Sequence, residues 1–171
     1  ALHPTWTPGQ IKSALMTTAV TSTVKEDGVT KTDAFDDGSG RIDLRRSPEP
    51  LFTIDETGAN YMALKSTLYK ANYPSLYVPA LAGQLTVQRT LKSVSSRTQY
   101  YGVTVKSDKG LRVWVSSPVF SLRPGASKTL SITVDGVSNN DNFLRSSDWR
   151  RLRALAAQKK TGRILQVGSQ C

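Results

Sequence analysis

Histidine and cysteine, side chains often used for catalysis and metal binding, are scarce in this chain. There is one histidine, His3, and one cysteine, Cys171, the last residue. His3 is the only imidazole that could act as a general base. It precedes Pro4 at the edge of a helix start, and its expected role is structural. A lone cysteine excludes an internal disulfide framework and a cysteine-rich zinc site. A lone histidine likewise excludes a histidine-rich metal site. Ser39 lies between Gly38 and Gly40, the setting of a turn serine. No Gly-x-Ser-x-Gly elbow supports a separate hydrolase. Asp33, Asp36, Asp37 and Asp43 could suggest calcium. They lack the alternating ligands and terminal Glu of an EF-hand, so they read as solvated loop carboxylates. No residue is therefore assigned a catalytic, cofactor-binding or metal-binding role, and no cofactor is expected.

The elements around these residues follow from pattern. Thr7-Pro8-Gly9-Gln10 reads as a helix start, with Thr7 as N-cap, Pro8 in the first turn and Gln10 closing a capping box. Ile11, Ala14, Leu15 and Ala19 follow at helical spacing, and Trp6 could staple against Ile11. This helix has an apolar face but little nearby chain to bury it. Residues 21–50 are irregular, punctuated by Gly28, Gly38, Gly40, Pro48 and Pro50. A short helix is expected near Ala59 to Tyr69. From Asn72 the period becomes two: Leu85, Val87 and Leu91; Tyr101, Val103 and Val105; Val113 and Val115; Leu130, Ile132 and Val134. Short strands separated by glycine and proline turns predict a β-sandwich over 72–137. Residues 138–171 break the pattern. Ser147 could cap a helix from Asp148 to about Lys160, with Trp149, Leu152, Leu155 and Ala156 on one face. Gly162 would end it, and Ile164 to Val167 could form a last strand.

Composition bounds the class. The chain has 171 residues, 38% hydrophobic and 21% charged. No run approaches the ~20 apolar residues that span a bilayer, so no membrane span is expected. The opening residues lack an initiator Met and a signal-peptide pattern, which suggests a piece of something longer. The formal net charge is +10. Between Asn142 and Cys171 there are seven basic residues (Arg145, Arg150, Arg151, Arg153, Lys159, Lys160, Arg163) against Asp148 alone; the preceding residues hold sixteen basic and twelve acidic. A basic amphipathic helix could meet an anionic polymer, a membrane surface or nucleic acid. No stacking aromatics or nucleic-acid motif accompany it, so a solvated charged face is the preferred reading and no nucleic-acid partner is expected.

Longer motifs point to a family. The segment His3-Pro4-Thr5-Trp6-Thr7-Pro8-Gly9-Gln10-Ile11-Lys12-Ser13-Ala14-Leu15-Met16-Thr17-Thr18-Ala19 resembles one stretch of the subtilisin-like serine proteases, the helix after the one bearing the nucleophilic serine. Phe35 to Asp43 resembles that family's Gly-Ser-Gly-His-Ile-Asn loop, with Arg41 for His and Asp43 for Asn. Pro48 to Asp55 resembles its Pro-Gly-Leu-Val-Tyr-Asp stretch without the Gly. Asn72-Tyr73-Pro74-Ser75, leading to Thr86 through Val94, resembles the start of the fibronectin type III-like domain of plant-type and related bacterial subtilases. Val115 to Pro118 and Leu130 to Val134 fit its later strands. Residues 138–171 depart from the family.

The resemblance implies a mixed α and β chain. Residues 1–50 would end an α/β protease domain, 51–71 would link, 72–137 would form the sandwich and 138–171 a basic tail. It implies peptide-bond hydrolysis by an Asp-His-Ser triad in the intact enzyme, acting on protein or peptide substrates outside the cell. The Gly-Thr-Ser-Met-Ala nucleophile motif is absent here, so no catalytic residue carries over. This chain would be inactive alone and would pack on the remainder of the protease domain. The alternative reading is a non-catalytic sandwich module whose basic tail meets an anionic partner.

Overall fold

The computed structural model describes residues 2–20, 23–32, 36, 39–78, 81, 83–105 and 111–136, together with the backbone of 151–155 and 163–168. Helix α1 spans Pro8–Thr17 and α2 spans Gly58–Leu64, continued by a 3-10 helix, Lys65–Lys70. The strands are β1 Phe52–Thr53, β2 Ser75–Tyr77, β3 Gln84–Ser93, β4 Gln99–Val105, β5 Leu111–Val115, β6 Val119–Leu122, β7 Ser127–Gly136, β8 Arg151–Leu155 and β9 Arg163–Gly168. The described residues are mainly β.

Two sheets form, in strand order β1-β3-β7-β5 and β2-β8-β9-β4-β6. Their main pairing is the antiparallel β3–β7 ladder, from Gln84 opposite Asp135 to Lys92 opposite Ser127. Alternation places Val87, Leu91, Leu130, Ile132 and Val134 inward, where they are buried, as period two requires. Two of the outward pairs are hydroxyl pairs: Thr86 meets Thr133 at 2.9 Å and Thr90 meets Thr129 at 2.8 Å.

The core has two clusters. Phe52, Ile54, Leu91, Tyr101, Leu122 and Leu130 form one. Leu76, Val87, Leu111, Ile132 and Val134 form the other, and half-buried Val103 and Val115 pack against both. Tyr101 lies edge-on to Phe52 at 6.0 Å between ring centroids and stacks on Phe120 at 5.0 Å.

Three findings differ from the expectations above. Strand pairing reaches outside 72–137, because β1, β8 and β9 join the sheets. The short helix near Ala59 to Tyr69 is broken at Lys65, whose φ of 43° ends α2 before the 3-10 turns. The helix expected from Asp148 to about Lys160 does not form over Arg151–Leu155, which is strand β8 paired with β2 and β9. Arg151, Leu152, Arg153 and Ala154 also alternate, and an unpaired β2 edge favours that period over the helical one. The expected last strand is present as β9.

Candidate functional site: the junction of the first helix and the sandwich

Helix α1 begins as the sequence predicts. Thr7 Oγ1 accepts Gln10 N–H at 3.0 Å, and Gln10 Oε1 accepts Thr7 N–H at 3.0 Å. The Thr7 hydroxyl also donates to Asp55 Oδ2 at 2.8 Å. Gly9 makes this approach possible, since a Cβ there would sit 2.0 Å from Asp55 Oδ1. A carboxylate therefore rests on the helix N-terminus, where the dipole favours negative charge.

The face that α1 buries is narrow and made of small residues: Ser13, Ala14 and Thr17. Ser13 Oγ accepts the backbone N–H of Ile54 at 2.8 Å, so the helix is fastened to the segment just after β1 by a fully buried hydrogen bond. Thr17 and Thr18 hydroxyls fold back onto the carbonyls of Ser13 and Ala14. Nearby chain thus does bury this helix, on the small-residue side. On the other side, Ile11 is about half exposed. Pro8, Ile11, Lys12, Leu15, Met16, Ser39, Gly40 and Ile42 line an open apolar groove of about 460 Å³ there.

Beyond Ile54 the sheet continues by side chain. Phe52 faces Ser93 and Thr53 faces Lys92. In that register Asp55 would face Thr90, and the Asn72 amide sits between them. Asn72 Oδ1 accepts Thr90 N–H at 2.8 Å, while its Nδ2 donates to Thr90 O at 3.0 Å and Asp55 O at 2.9 Å. Asn72 thus replaces a backbone rung.

Next to it, Arg89 is buried. Its guanidinium donates to the carbonyls of Tyr73 (2.7 Å), Gln88 (2.7 Å), Tyr69 (3.0 Å) and Ser75 (3.3 Å). Burial lowers its pKa to about 10, opposed by the charge of Glu56, so it stays a cation at neutral pH. The Glu56 carboxylate accepts the N–H groups of Asn72 and Thr57 and the Asn60 amide. Burial works against its charge, but these donors prevail and hold its pKa below the usual value. Lys12 on α1 completes the contact, with Nζ 4.5 Å from the Tyr73 ring centre. Asn72-Tyr73-Pro74-Ser75 and Arg89-Thr90 are therefore one polar clasp. The motif was visible in sequence; the burial of its polar groups was not.

The residues weighed in sequence fall elsewhere. His3 Nε2 hydrogen-bonds Pro48 O at 2.5 Å, and its ring stacks on Trp6 at 3.8 Å. Its partners are thus a carbonyl and an indole, and the Trp6 ring expected against Ile11 lies on His3. Gly40 has φ 107°, and a Cβ would approach Val20 O to 2.4 Å. Arg41 pairs with Val20 through its backbone, at 2.8 Å in both directions, and its exposed side chain takes no part in that pairing. Asp43 accepts Arg45 N–H at 3.0 Å and pairs with Arg46 at 3.4 Å. Asp36 pairs with Lys25 at 3.1 Å. Asp33, Asp37, Cys171, Arg145, Asp148, Trp149, Arg150, Lys159 and Lys160 lie outside the described residues, as do the side chains of Arg151, Arg153 and Arg163. Among the described residues no three His, Cys, Asp or Glu side chains group as metal ligands, and no helix is long and apolar enough to cross a membrane.

Comparison with known proteins agrees with this geometry. A family model described as a fibronectin type-III domain matches residues 70–151. Subtilisin-like protease SBT2.5 of Arabidopsis thaliana is 27% identical, over 77% of this chain and 21% of that protein. Subtilisin-like protease SBT5.4 of the same plant is 29% identical, over 67% of this chain and 18% of its own length. Subtilisin-like protease SBT3.15, also from Arabidopsis thaliana, is 24% identical over 87% and 24%. The chain spans about a fifth of the length of these curated relatives. With the clasp at the start of the sandwich and the capped helix ahead of it, the chain is similar to the subtilisin-like proteases over most of its length and to fibronectin type-III domains over residues 70–151.

Proposed function

We propose that this chain is the part of a subtilisin-like serine endopeptidase that fastens the end of the protease domain, residues 1–50, to its fibronectin III-like sandwich. Its role in the intact enzyme is structural. Peptide-bond hydrolysis, and the protein or peptide substrates outside the cell, belong to that enzyme and its Asp-His-Ser triad. The chain alone is inactive: its single histidine is engaged by Pro48 and Trp6, and no nucleophile motif lies within it.

One observation carries this reading. Helix α1 has two unlike sides, a small-residue side hydrogen-bonded to Ile54 and an apolar groove open to solvent. Ile11, Leu15, Met16 and Ile42 in the groove suit the packed interior of a larger α/β domain, where burying each such side chain contributes ~1.5–3 kcal/mol. Two measurements test the proposal. A fluorophosphonate probe should leave the isolated chain unlabelled, and clear labelling overturns its inactivity. Amide exchange across Ile11–Thr17 should slow markedly when the chain is joined to a subtilisin-like protease domain. Equal exchange with and without that domain removes the groove as its docking surface.

A further inference from the structure

The charge of this chain is divided unevenly. Residues 1–71 hold eight Lys plus Arg and nine Asp plus Glu, whereas residues 72–136 hold eight and two. The sandwich is therefore strongly basic in its own right, apart from the tail.

The strand register collects four of these cations at one end. Lys92 lies opposite Ser127, and Leu91 opposite Lys128, where β3 ends and β7 begins. Ser93 N–H donates to Ala126 O at 2.8 Å, closing that end. Gln99, at the start of β4, lies opposite Leu122, at the end of β6. The β3–β4 turn with Arg97 and the β6–β7 turn with Arg123 therefore cross between the sheets at the same end. Lys92, Arg97 and Arg123 are exposed, and Lys128 is half-buried. None of the four makes an ion pair among the described residues. The sequence has no acid in 84–105 or 119–128. Glu49 is a carboxylate near this end, two residues before Leu51, whose carbonyl accepts Val94 N–H.

The surroundings narrow the partner. Ser95, Ser96, Thr98, Ser121 and Ser127 supply hydroxyls in the same turns and strand ends. Tyr100, opposite Ser121, is 74% exposed. No large apolar side chain in 91–99 or 121–128 is exposed, so nothing at the turns suits insertion into a bilayer. One aromatic ring does not make the succession of stacking platforms that single-stranded nucleic acid uses. We propose that this basic end of the sandwich binds an acidic polysaccharide. The four cations meet its carboxylate or sulfate groups, the hydroxyls hydrogen-bond its ring oxygens and hydroxyls, and Tyr100 stacks against the C–H face of one sugar.

The test uses the full chain and a heparin oligosaccharide by titration calorimetry at two salt concentrations, with dextran as the neutral control. Binding should weaken with salt and be absent for dextran. Arg97→Ala with Arg123→Ala should weaken binding about tenfold or more, equivalent to about 1.4 kcal/mol, and flatten the salt dependence. Tyr100→Ala should weaken binding several-fold and leave the salt dependence unchanged. Unchanged thermal midpoints in these variants show that the fold is retained. A chain with Arg150, Arg151 and Arg153 changed to Ala should retain most of its binding. The proposal is overturned if the Arg97/Arg123 variant binds like the parent, or if only the tail variant loses binding. Tighter binding to phosphatidylserine vesicles or single-stranded DNA than to heparin overturns it as well.

Discussion

The sandwich and the first helix are held by opposite chemistries. Between the sheets, Phe52, Leu91, Tyr101, Leu130 and Val134 are almost wholly buried, and the contacts are large and apolar. Where α1 meets the sandwich, the buried groups are Ser13, Ala14 and Thr17, and the contacts are named hydrogen bonds: Ser13 to Ile54, Thr7 to Asp55. Of the large apolar residues of that region, Ile11, Ile42 and Leu44 are left about half exposed or more, and Leu15 and Met16 are half-buried. Apolar burial is non-directional and makes a region stable in its own right. Single hydrogen bonds contribute ~0.5–1.5 kcal/mol net and mainly fix orientation. The sandwich is therefore held mainly by apolar burial, while the helix is aligned on it with its larger apolar side partly exposed.

This contrast can be broken or sharpened by substitution. The largest effect is expected from Phe52→Ala, which empties the centre of one cluster. It should cost ~3–5 kcal/mol in a denaturant titration and unfold the sandwich and the helix contact together. Loss of α1 alone, with the sandwich intact, would show that Phe52 does not belong to the sandwich core. Asn72→Ala comes next. It strands Thr90 N–H and two carbonyls, and should cost ~2–3 kcal/mol with faster amide exchange at Thr90.

The third test is pH. Burial pushes the Tyr101 hydroxyl up to about 12. In the unfolded chain this group loses its proton near its ordinary value of 10, before the folded one does. Its contribution to stability is thus complete below pH 10 and lost as pH rises toward 12. Arg89, lowered to about 10, acts with the opposite sign over the alkaline range, so the difference between parent and Tyr101→Phe isolates the tyrosine. That variant should show a shallower alkaline loss of stability in melts between pH 9 and 12. A parallel loss in both proteins would remove Tyr101 as its source. The smallest effect is expected from Thr7→Ala. Losing the cap and the Asp55 contact should cost ~1 kcal/mol and speed exchange at Gln10, while the sandwich strands keep their protection.

The sequence made the capped helix and the long strands legible, because both carry strong periodic signals: Thr7 through Gln10 at one, and Val87, Leu91, Leu130, Ile132 and Val134 at the other. It did not disclose β1, since two residues have no period. It favoured a helix over Arg151–Leu155, where Leu152 and Leu155 fit helical spacing and the competing alternation is settled only by an available strand edge. The clasp was hidden for another reason. Asn72 and Arg89 look like ordinary polar positions, and their acceptors lie 14–20 residues away, apart from the neighbouring Gln88 carbonyl. A buried guanidinium satisfied by carbonyls has no local signature.

The Asn72 rung has a mechanical consequence. Strand β1 offers only two paired residues to β3, which by themselves would peel one after the other under a pull on α1. Because the same amide holds both Asp55 and Thr90, a force arriving through Ser13 and Ile54 is shared between the two-residue ladder and the side-chain rung. The segment from Phe52 to Asp55 thus works as a short lap joint, to which one amide adds a third fastening.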